Sequence, residues 1–404
     1  MKKTYFSILV FIVCSFSFIS KSSAQATVYM HTPQIQALVD AVKIDTMWTM
    51  LNYLETQQRF TSNSGSLVTA NFLKSYMKTM GFDSVYFQHF TMPGSFFVSP
   101  NIIGIKFGKA DPDSIFLACG HWDAYASMAP GADDNGSGTV SVLEAARVLL
   151  QQNYKKTLKF CLFSGEEQGL YGSYSYVQVS AGDKIGAALN LDMISYQEPG
   201  YNLRIGVFPK QGQIALYNKV NMLQQLYVPG IEIGKENGCP YACTDVYPFW
   251  QAGIDGLFFF ESSDFGYYET PYYHSFNDLV GTSANSQPKL ELTTKIVVAS
   301  LATIAEIFTN TNITESISIK MVSNYPNPFN NTTKIAFQLN TNSNITLRVT
   351  DITGKVIATL IDNEFKYTGI HEIPFDASSL KGGMYLYNLI SNNGSVIRKM
   401  MLIH

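Results

Sequence analysis

Residues 114–138 read SIFLACGHWDAYASMAPGADDNGSG, and the stretch changes character twice. An apolar run of strand length ends at Gly120. A segment with one histidine, three aspartates and three glycines follows, and residues 138–152, GTVSVLEAARVLLQQ, continue as a helical pattern. A turn needs the glycines and one aspartate, because these residues tolerate unusual backbone angles and bond their own backbone. It does not need His121, Asp123, Asp133 and Asp134 together.

Further along, the runs LKFCLFS, AALNLDM and DGLFFF read as strands, and QIALYNKVNMLQQL and KLELTTKIVVASLATIAEIF read as helices. From Gln34 to Met80 apolar residues recur at helical spacing. Strands alternating with helices imply an α/β fold, a three-layer αβα sandwich around a mostly parallel central sheet. After Asn310 the chain turns to asparagine, threonine and serine, with alternating apolar positions such as Ile345, Leu347 and Val349. That pattern predicts a small C-terminal all-β sandwich. The expected boundaries are a signal peptide at 1–26, the α/β domain at 27–310, a linker at 311–322 and the β-domain at 323–404.

With 404 residues, 46% of them hydrophobic, the chain suits a large domain and a smaller companion. A formal net charge of -3 and the lack of any lysine or arginine cluster argue against nucleic acid as a partner. The start, MKK followed by YFSILVFIVCSFSFI and SSAQA, has the charge, apolar core and small residues of a secretory signal. It is shorter than the ~20 residues of a spanning helix, so no transmembrane segment is expected in the mature chain. Cys119 and Cys161 sit in apolar strand-like runs as small buried hydrophobes, whereas Cys239 and Cys243 flank a proline in GCPYACTD and are the better bridge candidates after export.

In parallel α/β sheets, ligands gather beyond the carboxyl ends of the strands. His121 and Asp123 follow SIFLACG, Glu166 and Glu167 follow LKFCLFS, Asp192 follows ALNL, and His274 lies in the loop after DGLFFF. A hydrolytic centre with two cations needs a bridging carboxylate, terminal imidazole and carboxylate ligands, and a shared water. The inventory supplies these. Three ligand carboxylates against two zinc ions leave a net charge near +1, which favours ionising a bound water to the attacking hydroxide. Each residue singly has a plainer reading, with Asp134 or Asn135 capping a helix start and Glu166 and Glu167 as solvated acids. Their joint order points to metal.

GHWDAYASMAPGADDNGSG, FSGEEQGLYGS, LNLDMI and the histidine of YYHSFNDL together resemble the co-catalytic zinc aminopeptidases of the secreted bacterial leucyl type, over residues 34 to 308. The resemblance implies two zinc ions per chain, with Asp134 bridging, Glu167 and His274 completing one site, and His121 and Asp192 the other. It makes Asp123 the carboxylate that fixes the His121 tautomer and Glu166 the general base. In GCPYACTD it implies a Cys239–Cys243 disulfide and a Tyr241 that donates to the oxyanion. Met193, Phe258, Phe260 and Phe265, beside these positions, are candidates for an apolar pocket. The substrates implied are peptides with a free N-terminus and an apolar first residue.

NYPNPFN, ITLRVTDITGKVIATL, GGMYLYNL and the end RKMMLIH resemble the C-terminal sorting domain of the type IX secretion system, which implies that export machinery as a partner and a secreted, extracellular or surface location reached through the periplasm. An adhesive or carbohydrate-binding β-module is the competing reading of the tail. For the α/β domain the rivals are glutaminyl cyclase, a single-zinc acyltransferase with similar motifs, and a non-catalytic binding module on the same fold.

Overall fold

A computed structural model describes residues 30–61, 63–94, 96–127, 129–236, 243–263, 266–267, 270–308, 319–351, 356–391 and 394–403. The expected signal segment and residues 311–318 of the expected linker lie outside them, as do Cys239, Tyr241 and Phe265.

After the short strand β1 (Met30–His31), helices α1 (Pro33–Asp40), α2 (Ile44–Glu55) and α3 (Ser66–Lys78) carry the helical rhythm expected from Gln34 onward. That rhythm is interrupted by a loop at residues 56–65 which proves important for the site. The hairpin β2 (Ser84–Thr91) and β3 (Val98–Lys106) leads to β4 (Asp111–His121), α4 (Gly138–Leu149), β5 (Lys156–Phe163), α5 (Tyr171–Val179) and β6 (Lys184–Leu191). Then come β7 (Arg204–Pro209), α6 (Ala215–Tyr227), β8 (Glu232–Lys235), α7 (Val246–Gln251), β9 (Asp255–Ser263), β10 (Gly266–Tyr267) and α8 (Gln287–Ala305). The helix starts follow local chemistry. Thr32 and Ser286 accept bonds from free amides at the starts of α1 and α8, each with a proline in the first turn.

The sheet runs β2-β3-β5-β4-β6-β9-β7-β8, with β10 paired to β9. Its centre, β5-β4-β6-β9, is parallel, and β2, β3 and β7 add antiparallel pairs. Side chains alternate between its faces, as strand geometry requires. Ile102, Ala118, Leu189 and Phe259 join a core with α1–α4, α6 and α8, while Ile103, Leu117, Cys119, Cys161 and Phe258 join a second core with α5 and α7. Helices on both faces make the three layers expected.

Strands β11 (Ile319–Tyr325), β12 (Thr332–Leu339), β13 (Ser343–Asp351), β14 (Val356–Lys366), β15 (Gly369–Asp376), β16 (Gly383–Ser391) and β17 (Gly394–Leu402) form the C-terminal part. They build two antiparallel sheets, β11-β12-β15 and β17-β16-β13-β14, with β1 added beside β17. Their alternate residues, among them Ile335, Phe337, Ile345, Leu347 and Val349, close a separate apolar core. Among the described residues, no helix is long and apolar enough to cross a membrane.

Candidate metal centre

Four adjacent parallel strands bring the predicted residues to one end of the sheet. His121 ends β4, Glu166 and Glu167 follow β5, Asp192 follows β6, and His274 lies in the loop beyond β9. Register fixes their level, since His121 pairs with Phe163 and Leu191 with Phe259. Asp134 arrives from the turn before α4. Asn135 holds that turn to the sheet by donating to the Leu191 carbonyl (2.9 Å) and accepting from the Gly138 amide (2.7 Å). Gly131 has φ 62, and a side chain there would strike the Asp134 carbonyl and Arg59, so the turn requires glycine.

His121 is 1% exposed. Its Nε2 lies 3.4 Å from Asp134 Oδ1, 3.4 Å from Asp192 Oδ1 and 3.9 Å from Glu166 Oε2. Its Nδ1 faces Asp123, 3.2 Å from the main-chain oxygen and 3.5 Å from Oδ1. His274 Nε2 lies 3.2 Å from Asp134 Oδ2 and 2.9 Å from Glu167 Oε2. Asp134 thus stands between the two imidazoles. Its neighbour Asp133 turns away, with Oδ1 accepting from the Ser195 amide at 2.8 Å. Asp192 Oδ2 accepts from Thr244 Oγ1 at 2.9 Å, and Thr244 accepts in turn from Asn190.

The electrostatics of this cluster ask for cations. Burial first, and then Asp134, pushes Glu167 up to about 8. Burial also lifts Glu166 well above the usual carboxylate range, with His121 opposing and Asp192 adding. Burial acts to lower His121, but Asp192, Glu166, Asp123 and Asp134 outweigh it and hold the imidazole well above its ordinary value. Burial opposes ionisation of Asp134 too, yet His121 and His274 keep it below the usual range. Buried carboxylates in this number are costly unless positive charge meets them.

The donor set passes a direct test of fit. Asp134 Oδ2, Glu167 Oε1, Asp192 Oδ1 and His274 Nε2 are buried without a hydrogen bond. Of these, His274 Nε2 and Asp134 Oδ2 lie 3.2 Å apart with no hydrogen bond between them, as ligands around a shared ion do. Ligand atoms of His121, Asp134 and Glu167, and of His121, Glu166 and Asp192, form two sets, each within 4.8 Å. Imidazole and carboxylate donors of this kind suit zinc.

Met193, Phe258 and Phe260 are 2%, 3% and 5% exposed and belong to the core beside α5 and α7, where Phe258 packs on Phe208 and Phe260. Cys119 and Cys161 are buried free thiols. A cavity of about 530 Å³, lined by Arg204, Tyr217, Thr350 and Asn388 among others, contains none of the candidate ligands.

Three residues absent from the sequence reading hold the ligand loops. Arg59, 1% exposed, donates to the carbonyls of Trp122, Pro130 and Gly131. Thr61 Oγ1 donates to Asp123 Oδ2 (3.0 Å) and accepts from the Gly165 amide (3.1 Å). Asp278 accepts the amides of Asp133 (2.8 Å) and Asp134 (3.0 Å), tying the His274 loop to the Asp134 turn. The available signals were slight: a lone arginine beside a Ser/Thr/Asn cluster in QRFTSNSG, and an aspartate four residues after His274.

Comparison with known proteins agrees with this geometry. Residues 101–301 match the model of peptidase family M28, and residues 323–403 match the secretion system C-terminal sorting domain. Leucine aminopeptidase 1 of Neurospora crassa is 35% identical over 183 residues, which cover 42% of this chain and 44% of that protein. The chain therefore spans less than half of that relative. In fold it is similar to BSAP, a zinc aminopeptidase from Bacillus subtilis, at TM-score 0.58 and 18% identity over 66% of this chain and 96% of that one. It is also similar in fold to Porphyromonas gingivalis glutaminyl cyclase, at TM-score 0.53 and 20% identity over 66% and 99%. Over residues 101–301 the chain belongs to peptidase family M28, and it carries a secretion system sorting domain at its C-terminal end.

Proposed function

We propose that the chain is a secreted two-zinc aminopeptidase acting on peptides with a free N-terminus and an apolar first residue. The observation that carries this reading is the placement of Asp134, with Oδ1 3.4 Å from His121 Nε2 and Oδ2 3.2 Å from His274 Nε2. Asp134, Glu167 and His274 would hold one ion, and Asp134, His121 and Asp192 the other. Asp123, itself held by Thr61, fixes the His121 ring through Nδ1. Zinc bound there would supply Lewis acidity toward a carbonyl and make a water acidic enough to attack near neutral pH.

Glu166 takes the proton from the attacking water and delivers it to the leaving amine. Its side chain is 12% exposed, and its Oε2 lies 3.9 Å from His121 Nε2, within reach of the ligand cluster. Tyr241, braced by a Cys239–Cys243 disulfide, donates to the oxyanion. That part rests on the motif GCPYACTD, since Cys239 and Tyr241 lie outside the described residues. Met193, Phe258 and Phe260 form the apolar floor for the first side chain, and Phe265, outside the described residues, is assigned to it from the sequence alone. The signal segment at 1–26 and the C-terminal tail, whose strand β11 already begins at Ile319 inside the expected linker 311–322, route the enzyme through the periplasm to the type IX machinery.

The cyclase reading has its own support, since the fold likeness extends over 99% of the Porphyromonas gingivalis cyclase chain. A Leu-initiated and a Gln-initiated peptide separate the two when products are read by mass spectrometry beside the zinc content. The aminopeptidase releases free leucine and holds two zinc ions. Ammonia loss from the Gln peptide, an intact Leu peptide and one zinc per chain would overturn the proposal in favour of the cyclase.

A further inference from the structure

The two imidazoles of the centre are oriented by different means. His121 is buried, and its Nδ1 faces the carboxylate of Asp123. The His274 side chain is 25% exposed, and among the described residues no hydrogen bond reaches its Nδ1. Instead the ring lies between two tyrosines. Tyr125 stacks on one side with centroids 3.9 Å apart and planes 13° from parallel, and Tyr273 stacks at 3.7 Å and 22°. Neighbouring side chains of an extended strand point apart, so stacking of Tyr273 on His274 needs an unusual backbone. His274 supplies it with φ 54, in the left-handed region that few residues other than glycine adopt.

We propose that the Tyr125–His274–Tyr273 stack is the positioning device for this imidazole, taking the role that Asp123, through its main-chain oxygen at 3.2 Å and its carboxylate at 3.5 Å, plays for His121. The inference rests on the two-zinc reading above. The aromatic faces confine the ring to one plane, and Nε2 is thereby aimed at the space between Asp134 Oδ2 and Glu167 Oε2. Tyr125 comes from the loop that begins at His121, so the stack also ties the second imidazole to the loop of the first. The phenol hydroxyls are not required, because the contact is made by the ring faces. Tyr125 and Tyr273 are 46% and 41% exposed, so shortening either leaves the core intact.

The test is competition of zinc-loaded protein with a chelator of known zinc affinity, for wild type, Tyr125→Leu, Tyr273→Leu, Tyr125→Phe and Tyr273→Phe, with melting temperatures in parallel. Loss of an orienting partner typically costs about 10- to 100-fold in metal affinity. Each leucine variant is expected to lose one of its two zinc ions at a chelator concentration about ten-fold lower or more, while the other ion is held as in wild type. The phenylalanine variants should hold both as tightly as wild type. Leucine variants that keep both ions would overturn the proposal, as would equal weakening of both ions in a variant of normal melting temperature. Weak binding by a phenylalanine variant would also overturn it, and that arm stands even if a leucine variant does not fold. Wild type binding fewer than two zinc ions would overturn the two-zinc reading and the inference with it, an outcome read before any variant.

Discussion

Asp278→Ala tests whether the Asp134 turn is held from outside the ligand set. Asp278 is 1% exposed, and its two oxygens accept the amides of Asp133 and Asp134 at 2.8 and 3.0 Å. Alanine leaves both amides buried and unpaired, each costing about 1–3 kcal/mol, so about 4 kcal/mol for the two at mid-range. Arg59 adds to the loss. Burial disfavours its charge, and Asp278 is the foremost of the carboxylates that offset this. At about 2–4 °C per kcal/mol for a domain of this size, the variant should melt about 8–16 °C lower. Asp278→Asn keeps one acceptor oxygen and should lose about half as much. Differential scanning calorimetry of the three proteins reads the shift, and zinc content of the same samples reads whether Asp134 still faces its partners. An alanine variant melting within about 2 °C of wild type would refute the reasoning, because it would mean that water or a rearranged turn satisfies both amides.

Glu166→Gln should keep both zinc ions and lose about 10²- to 10⁴-fold in turnover, since it removes the proton carrier and no ligand; near-normal turnover of the fully loaded variant counts against that role. Asp134→Asn should weaken retention of both ions, measured by mass spectrometry after dialysis, and unchanged stoichiometry would show that another carboxylate bridges. At the end of α8, Glu306 is held below its ordinary 4.5 by bonds from Lys156 and Lys155. Its folded pKa is depressed, so its contribution to stability is present above the unfolded value and is lost as pH falls through the folded one. The melting gap between wild type and Glu306→Gln should therefore be constant near neutral pH, close below about 4.5 and stay small throughout because the pair is exposed. A gap that persists at pH 3 would contradict the sign.

Much of this molecule was legible in the order of residues, because the relevant signals are local. Continuous apolar runs such as SIFLACG, LKFCLFS and DGLFFF mark strands buried on both faces, and the structure sends Leu117 and Cys119 to one core and Ala118 to the other. Strand ends predict where polar groups gather, and the structure brings His121, Glu166, Glu167 and Asp192 to one end of the sheet. What the sequence could not reveal is held by contacts between segments far apart in the chain. Arg59 reaches carbonyls more than sixty residues away, and Asp278 reaches amides more than a hundred and forty away. Nothing in the local pattern of QRFTSNSG or HSFND separates such groups from solvated loop residues. The choice between Asp133 and Asp134 is of the same kind. Adjacent carboxylates in one turn look alike in local pattern, so the expectation of Asp134 rests on the family resemblance, and the fold turns Asp133 toward Ser195 and Asp134 toward the two imidazoles. The tyrosine stack depends on a left-handed residue at His274 and on Tyr125 from the loop that begins at His121, so tertiary packing alone decides it.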